Sequence, residues 1–353
     1  MNYISFLKNA MLLLVLAAFA SSCGDDEQVG PTFDYSSVLT DVTNKVIVQT
    51  YVDLADNAQA LVTAVTELQN NTTSDNLTAA RNAWIATRLP WEQSEGFLFG
   101  PVDTKGIDPA LDSWPVNQVD LENVLAGGDA LTAGYVSSLE GTLKGFHTIE
   151  FLLWDTDGEK TVADFTAREF EYLIATTQVL ADDAATLANA WESTGENFAA
   201  NLIEAGEAGS IYISQKAALE ELANGILGIA DEVGNGKIND PLEQEDLSLE
   251  ESQFSDNSKT DFTNNIRSIQ HVYMGISGDG LSVIVADEDP NLDAEIQSAI
   301  QTAIDAIQAI PGTFTEAIPA DSPTRFAAEN AQGAVRTLQA TLEEKLIPLI
   351  SGL

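Results

Sequence analysis

Basic residues are scarce in this chain: 15 Lys and Arg stand against 55 Asp and Glu in 353 residues, a formal net charge of −40. Binding to nucleic acid needs clustered Lys and Arg on a surface, so that class is excluded. Polybasic attachment to a membrane surface is excluded for the same reason. There is one cysteine, which rules out an internal disulfide, and only two histidines, which rules out a His-rich metal cluster. Alternating strand patterns bounded by hairpin turns are also missing. What is present is 44% hydrophobic residues, enough for packed cores and too many for a disordered acidic tail. The length suits two domains, each able to bury a core. Carboxylate chemistry, cation binding, or no chemistry at all remain.

The N-terminus reads as an address. Lys8 precedes an apolar run from Ala10 to Ala20, the length of a signal-peptide core and too short to span a membrane. The run ends in Ala20-Ser21-Ser22-Cys23, which resembles a bacterial lipoprotein box, with Ala20 where Leu is usual. Residues 1–22 are then a removed signal peptide and Cys23 is the lipidated N-terminus, anchoring the protein to the outer membrane of a cell envelope. The acidic run Gly24-Asp25-Asp26-Glu27 opens a tether over 23–32 and resembles a signal for export to the cell surface. Either face of the membrane, periplasmic or exterior, stays open.

Helical periodicity fills the rest. Leu54, Ala58, Leu61, Val65 and Leu68 step by 4, 3, 4, 3, the stripe of a helix facing a bundle core. Similar stripes run through Leu173 to Trp191, Ile296 to Ile307 and Val335 to Leu349. The fold class is all-α. Helices are expected over 34–70, 75–97, 131–155, 164–200, 209–231, 258–276, 291–309 and 324–350. Four and four predict two helical domains, each resembling a four-helix bundle, packed side by side, over 33–206 and 207–353. The acidic, turn-rich stretch 234–255 reads as a loop. So does 99–118, whose length and three prolines are unusual inside a compact domain and mark it as either functional or merely a long ordered connection.

Two segments carry residues capable of chemistry. Leu143 to Trp154, LKGFHTIEFLLW, is apolar nearly all round and so predicts a buried helix, yet it contains His147 and Glu150 on one face, three residues apart. A buried ionised carboxylate needs a cation or strong donors. An imidazole and a carboxylate one turn apart can bind a metal ion, or can simply satisfy each other. Gly145 would let another backbone or a ligand approach closely. The zinc-protease signature fails, because Thr148 follows the histidine, and the inverted form fails at Phe151. His271, with polar neighbours, reads as solvated or inter-domain. In the second segment, Arg81, Trp84, Arg88, Trp91 and Glu95 form one helix face, with Glu92 beside Arg88. Two of so few basic residues placed here suggest arginines that hold carboxylates in position. Aromatic packing with surface ion pairs is the alternative. Pro90 is expected to bend or open the helix.

Trp84 through Pro101 (WxxxRxxWExxExFxFGP), then Asp112-Ser113-Trp114-Pro115, then Gly145 through Glu150 (GxHxxE) resemble, in this order, the imelysin-like family. Phe254 to Gly275 is similar to its second-half region. The resemblance implies paired four-helix bundles with a site near their interface, in an envelope protein linked to iron. Relatives include insulin-cleaving metallopeptidases and the EfeO-like components of ferrous-iron uptake, which implies an envelope iron-uptake partner. By matching motif, His147 and Glu150 are the main metal residues, with Glu92, Glu95 and Asp112 as candidate partners. Arg88 would orient the carboxylates, and Gly145, Trp91 and Trp114 would support the site.

Three functions follow. The first is a protein binding a metal ion, iron favoured and zinc the alternative, since oxygen plus imidazole suits such cations. The second is a non-enzymatic interaction module in which His147 and Glu150 pin the two bundles. The third is a metallopeptidase, whose mechanism is hard to draw with one histidine in the motif and no adjacent general base.

Overall fold

The computed structural model describes residues 34–353, so the expected signal peptide, the tether and Cys23 lie outside the described residues. The apolar stripes become helices that close into two rings of four. In the first ring, α1 (Gln49–Asn70) packs on α2 (Ser74–Glu92) and α4 (Ala167–Trp191), and α3 (Gly145–Trp154) completes it between α2 and α4. In the second, α5 (Gln215–Glu232), α6 (Ser258–Met274), α7 (Pro290–Gln308) and α8 (Arg325–Thr341) contact one another in the same cyclic order. No strand occurs among the described residues, and the fold is all-α.

Local sequence sets the boundaries. Thr73, Ser214 and Asp289 cap α2, α5 and α7 by accepting from the first free backbone N–H groups, and Thr166 with Glu169 forms a capping box on α4. The stripe Leu54, Leu61 and Leu68 is fully buried, which stabilises by about 2–3 kcal/mol per side chain relative to exposure. Pro90 does not end α2, which runs on to Glu92. A proline there cannot donate to the carbonyl of Ala86, and the Asn57 side chain donates to that oxygen instead, at 2.9 Å.

The rings are joined through α6, which packs on α2 and on the 3-10 turn Glu95–Phe97, and through α5, which packs on the same turn. Tyr35–Leu353 accordingly form one compact unit. At Gly225 of α5 an added Cβ would strike the carbonyl oxygen of Gly96, so this helix and turn cross with backbone almost touching.

The helix expected over 164–200 ends at Trp191, helices Gln118–Ala126 and Leu281–Glu288 lie outside the expected ranges, and three further stretches differ from expectation. The helix expected over 131–155 is broken into Ala133–Ser137, Gly141–Leu143 and α3. The first break lies at 138–140 and the second at Gly145, whose φ of 76° is left-handed and where a Cβ would strike the carbonyl oxygens of Ala110 and Leu111. The stretch 99–118 is ordered, with helical turns Pro101–Thr104 and Asp108–Leu111 and a cis bond between Trp114 and Pro115. The stretch 234–255, expected as a loop, is largely helical, in a π turn Val233–Lys237, a helix Asn239–Gln244 and a 3-10 turn Leu247–Leu249. Acidic composition suggested solvent there, but Lys237, Glu250 and Glu251 are buried and paired, which lets the segment pack.

A candidate metal centre between the two rings

The helix α3 is as buried as its composition predicts, with every residue but Phe151 enclosed. Its His147 points toward the end of the 99–118 segment. His147 Nδ1 donates to Glu150 Oε2 at 3.0 Å, and Nε2 lies 3.1 Å from Asp112 Oδ1, out of line for a hydrogen bond. The second oxygen of Glu150 accepts from the backbone N–H groups of Phe254 and Ser255 and from the Ser255 hydroxyl, at 3.1, 2.9 and 2.7 Å. Both of its oxygens are therefore engaged. Expected as a metal residue beside His147, Glu150 bonds the ring through Nδ1 and belongs to neither group of potential ligand atoms.

Around His147, Arg88 from α2 is wholly buried and meets four carboxylates. It pairs with Asp112 and Glu92, reaches Glu251 at 3.0 Å and lies 3.6 Å from Asp261. Its guanidinium also lies over the Phe146 ring, 4.9 Å from the centroid. The alternative of surface ion pairs is excluded for this residue by its burial. Arg81, on the same helix face, is elsewhere: it holds the carbonyls of Leu153 and Lys160 and stacks on Trp154. Trp91 Nε1 donates to Asp112 Oδ2 at 2.7 Å, and Asn265 Nδ2 of α6 donates to Glu92 Oε2 at 2.6 Å. The Trp114 ring sits 6.0 Å from that of His147. Lys237, also buried, bonds Glu251 at 2.9 Å and lies 3.6 Å from Glu95, 3.8 Å from Glu92 and 3.9 Å from Glu232.

The candidates read from the sequence are thus brought together, except His271. That residue is half-buried on α6 and belongs to neither potential ligand group. Sequence reasoning missed Glu251, Lys237, Asp261 and Asn265. The available signal was the rarity of lysine, which applies to Lys237 as it does to Arg88, and the polar run Asp261, Asn264, Asn265 and Ser268 on one helix face.

Charge is out of balance here. Six carboxylates, Glu92, Glu95, Asp112, Glu150, Glu251 and Asp261, are buried with only Arg88, Lys237 and His147 as cations. Such an excess must be met by protons or by a further cation. Burial pushes Glu92 and Glu95 well above the ordinary carboxylate range, against the pull of Arg88 and Lys237 respectively. Asp261 is raised to about 6 by burial, against Arg88. Burial opposes the charged form of Asp112 as well, but Arg88 and His147 outweigh it and hold that carboxyl well below its usual range. Burial likewise disfavours charge on His147, and its contacts with Asp112 and Glu150 overcome this and lift it to about 9.

Two groups have ligand atoms close enough for one ion. Asp112, His147 and Glu251 offer atoms within 4.8 Å of one another, and so do Glu92, Glu95 and Asp112, with Asp112 common to both. The first group includes the buried His147 Nε2, which has no hydrogen-bond partner, and Glu251 likewise keeps one oxygen, Oε2, without a hydrogen bond. An imidazole nitrogen set between carboxylates, ion-paired with Asp112 but outside hydrogen-bond geometry, is a donor set suited to iron or zinc.

The profile of the family described as Imelysin matches residues 47–342. The chain belongs to the imelysin family. It is 31% identical over 342 residues to iron-regulated protein A of Synechococcus elongatus, covering 95% of this chain and 91% of that one. It is similar to the crystal structure of a proposed iron-regulated protein A precursor from Parabacteroides distasonis. There the TM-score is 0.80 at 28% identity, over 90% of this chain and 94% of the other. An Imelysin-like protein from Psychrobacter arcticum shares the fold with a TM-score of 0.73 at 16% identity, over 90% and 95% of the two chains. Within this imelysin fold the GxHxxE segment is α3, and its glycine is the residue at which Leu111 presses on the helix start.

Proposed function

We propose that this imelysin is an envelope lipoprotein that binds a metal ion, iron favoured and zinc the alternative, and takes part in iron uptake or sensing. The observation that carries this reading is His147 Nε2, buried without a hydrogen bond beside Asp112 and Glu251. Those three residues would hold the ion. His147 must give up a proton to bind it, and Glu150 would then orient the ring through Nδ1, the carboxylate–histidine support common at metal sites. The name iron-regulated protein A, borne by a relative 31% identical, supports iron. Lipid anchoring through Cys23 to the outer membrane, and an envelope iron-uptake partner, rest on residues 1–27 and on family membership. No helix of the described residues is long and apolar enough to cross a membrane.

Metal content by elemental analysis, on protein lacking residues 1–23 and incubated anaerobically with ferrous iron, tests the reading. About one ion per chain, lost in His147→Ala, is expected. No metal in the wild type would refute it and favour the second reading, a structural role. Arg88 supports that second reading, since it already ties Glu92 and Asp112 of the first ring's segments to Glu251 and Asp261 of the second's. The metallopeptidase reading stays weakest, because the GxHxxE segment carries one histidine with Thr148 after it and no adjacent general base.

A further inference from the structure

A cavity of about 310 Å³ opens between the Glu95–Phe99 turn and the outer face of α5. Its rim carries the exposed Glu232, Asn224 and Gly228, with Glu221 half-buried on its wall. Its inner end is Glu95, which is 94% enclosed, with a relative exposure of 6%. Glu95 has no hydrogen bond among the described residues and meets only the Lys237 ammonium, at 3.6 Å. The same carboxylate supplies an atom to the buried group with Glu92 and Asp112. One side chain therefore belongs both to a cavity open to solvent and to the second buried group, which shares Asp112 with the group proposed to hold the ion. Lys237 lies between the two, 3.9 Å from the exposed Glu232 and 2.9 Å from the buried Glu251.

We propose that this cavity is the port through which a hydrated divalent cation reaches the buried centre. Glu232 and Glu221 would capture the ion at the rim, and Glu95 would pass it inward past Lys237. This rests on the metal-binding reading, and it adds a route that is separable from the site. Carboxylates at a mouth raise the arrival rate of cations, while the affinity is set by the inner donors. Gly228 makes the port testable. A Cβ built there meets nothing within 4 Å, so a side chain can start at this cavity-lining position without a clash at its first atom. Replacing a helix-interior glycine also favours the helix.

The experiment is anaerobic stopped-flow mixing of full-length protein in detergent with Fe²⁺, followed by tryptophan fluorescence, since Trp91 and Trp114 border the centre. Metal content at equilibrium is measured alongside. Gly228→Leu should load at least about tenfold more slowly and reach the wild-type stoichiometry, with Gly228→Ala near the wild-type rate. Glu232→Gln should load about twofold to fivefold more slowly and with a weaker dependence on salt. Wild-type loading rates in both Gly228→Leu and Glu232→Gln would overturn the port while leaving the metal site standing. A wild type that takes up no Fe²⁺ would overturn both. If Gly228→Leu loses helicity by circular dichroism, Glu232→Gln, an exposed change, decides alone. Should the fluorescence not respond, metal retained after timed quenching with a chelator gives the same rates.

Discussion

Lys237→Met should destabilise the metal-free protein and strengthen its hold on a metal. The ammonium faces Glu251, Glu95, Glu92 and Glu232 at 2.9, 3.6, 3.8 and 3.9 Å, three of them buried. At an effective dielectric constant of 20 each contact is worth about 4–6 kcal/mol before desolvation. Most of that sum is offset by the cost of burying the charges, and removing one partner of such a group leaves a net loss of about 3–5 kcal/mol. The loss depends on pH, because protons can replace the missing cation. Glu92 and Glu95 have folded-state values raised above the ordinary range by burial, and removing Lys237 raises them further. Stability tied to a raised carboxyl is present below its unfolded value and is lost as pH rises through the folded value. The destabilisation should therefore be about 1–2 kcal/mol at pH 5 and reach about 3–5 kcal/mol at pH 8. Urea unfolding at the two pH values measures it. Zinc or ferrous iron should restore stability to the variant at lower concentration than in the wild type, because the ion no longer competes with an ammonium. A destabilisation that is equal at both pH values, or weaker metal affinity in the variant, would refute the idea that Lys237 is the cluster's counter-cation.

Other predictions follow from the same geometry. Glu150→Gln keeps an oxygen for the Phe254 and Ser255 donors but loses the charge behind the imidazole, so metal affinity should fall about 10–100-fold without vanishing, by isothermal titration. The metal-free wild type should be most stable near pH 4 and lose stability toward pH 9 in thermal melts. Asp261 at about 6, Glu250 at about 7 and His147 at about 9 all have raised values, so each adds stability that is lost as pH rises through it. Asp112, whose value is depressed, acts the other way and loses its contribution only in strong acid.

The sequence made the long elements readable and the short ones opaque, for a physical reason. A stripe such as Leu54 to Leu68 repeats enough times to declare its period, and all five residues are fully buried. The turns at Pro101–Thr104 and Asp108–Leu111 are too brief to show a period, and they exist because tertiary contacts hold them. Gly145 misled the reading of 131–155 as one helix: a single glycine inside a periodic pattern does not announce a positive φ. At the site, His147 and Glu150 stood out because they are polar residues in an apolar helix, and Arg88 because cations are rare. Glu251 lay hidden among seven acidic residues between Asp240 and Asp256, where only the fold distinguishes a buried carboxylate from solvated ones.

Arg88 and Lys237 share the cluster but are suited to different work. The guanidinium keeps its charge under all ordinary conditions and its planar fork serves several carboxylates at once, here from α2, the segment before α3, and the region that ends in α6. Moving it would uncouple those segments, so it is a fixed tie. The ammonium of Lys237 is a point charge on a flexible stem, it stands at the end of a π turn, and it faces the cavity through Glu232 and Glu95. Its displacement would leave the Arg88 contacts between the rings in place. A buried carboxylate group that must be stable when empty and still admit an ion needs both kinds of cation, one permanent and one displaceable. Exchanging them, as Arg88→Lys and Lys237→Arg, should loosen the fold in the first case and slow metal loading in the second, as read from unfolding midpoints and loading rates.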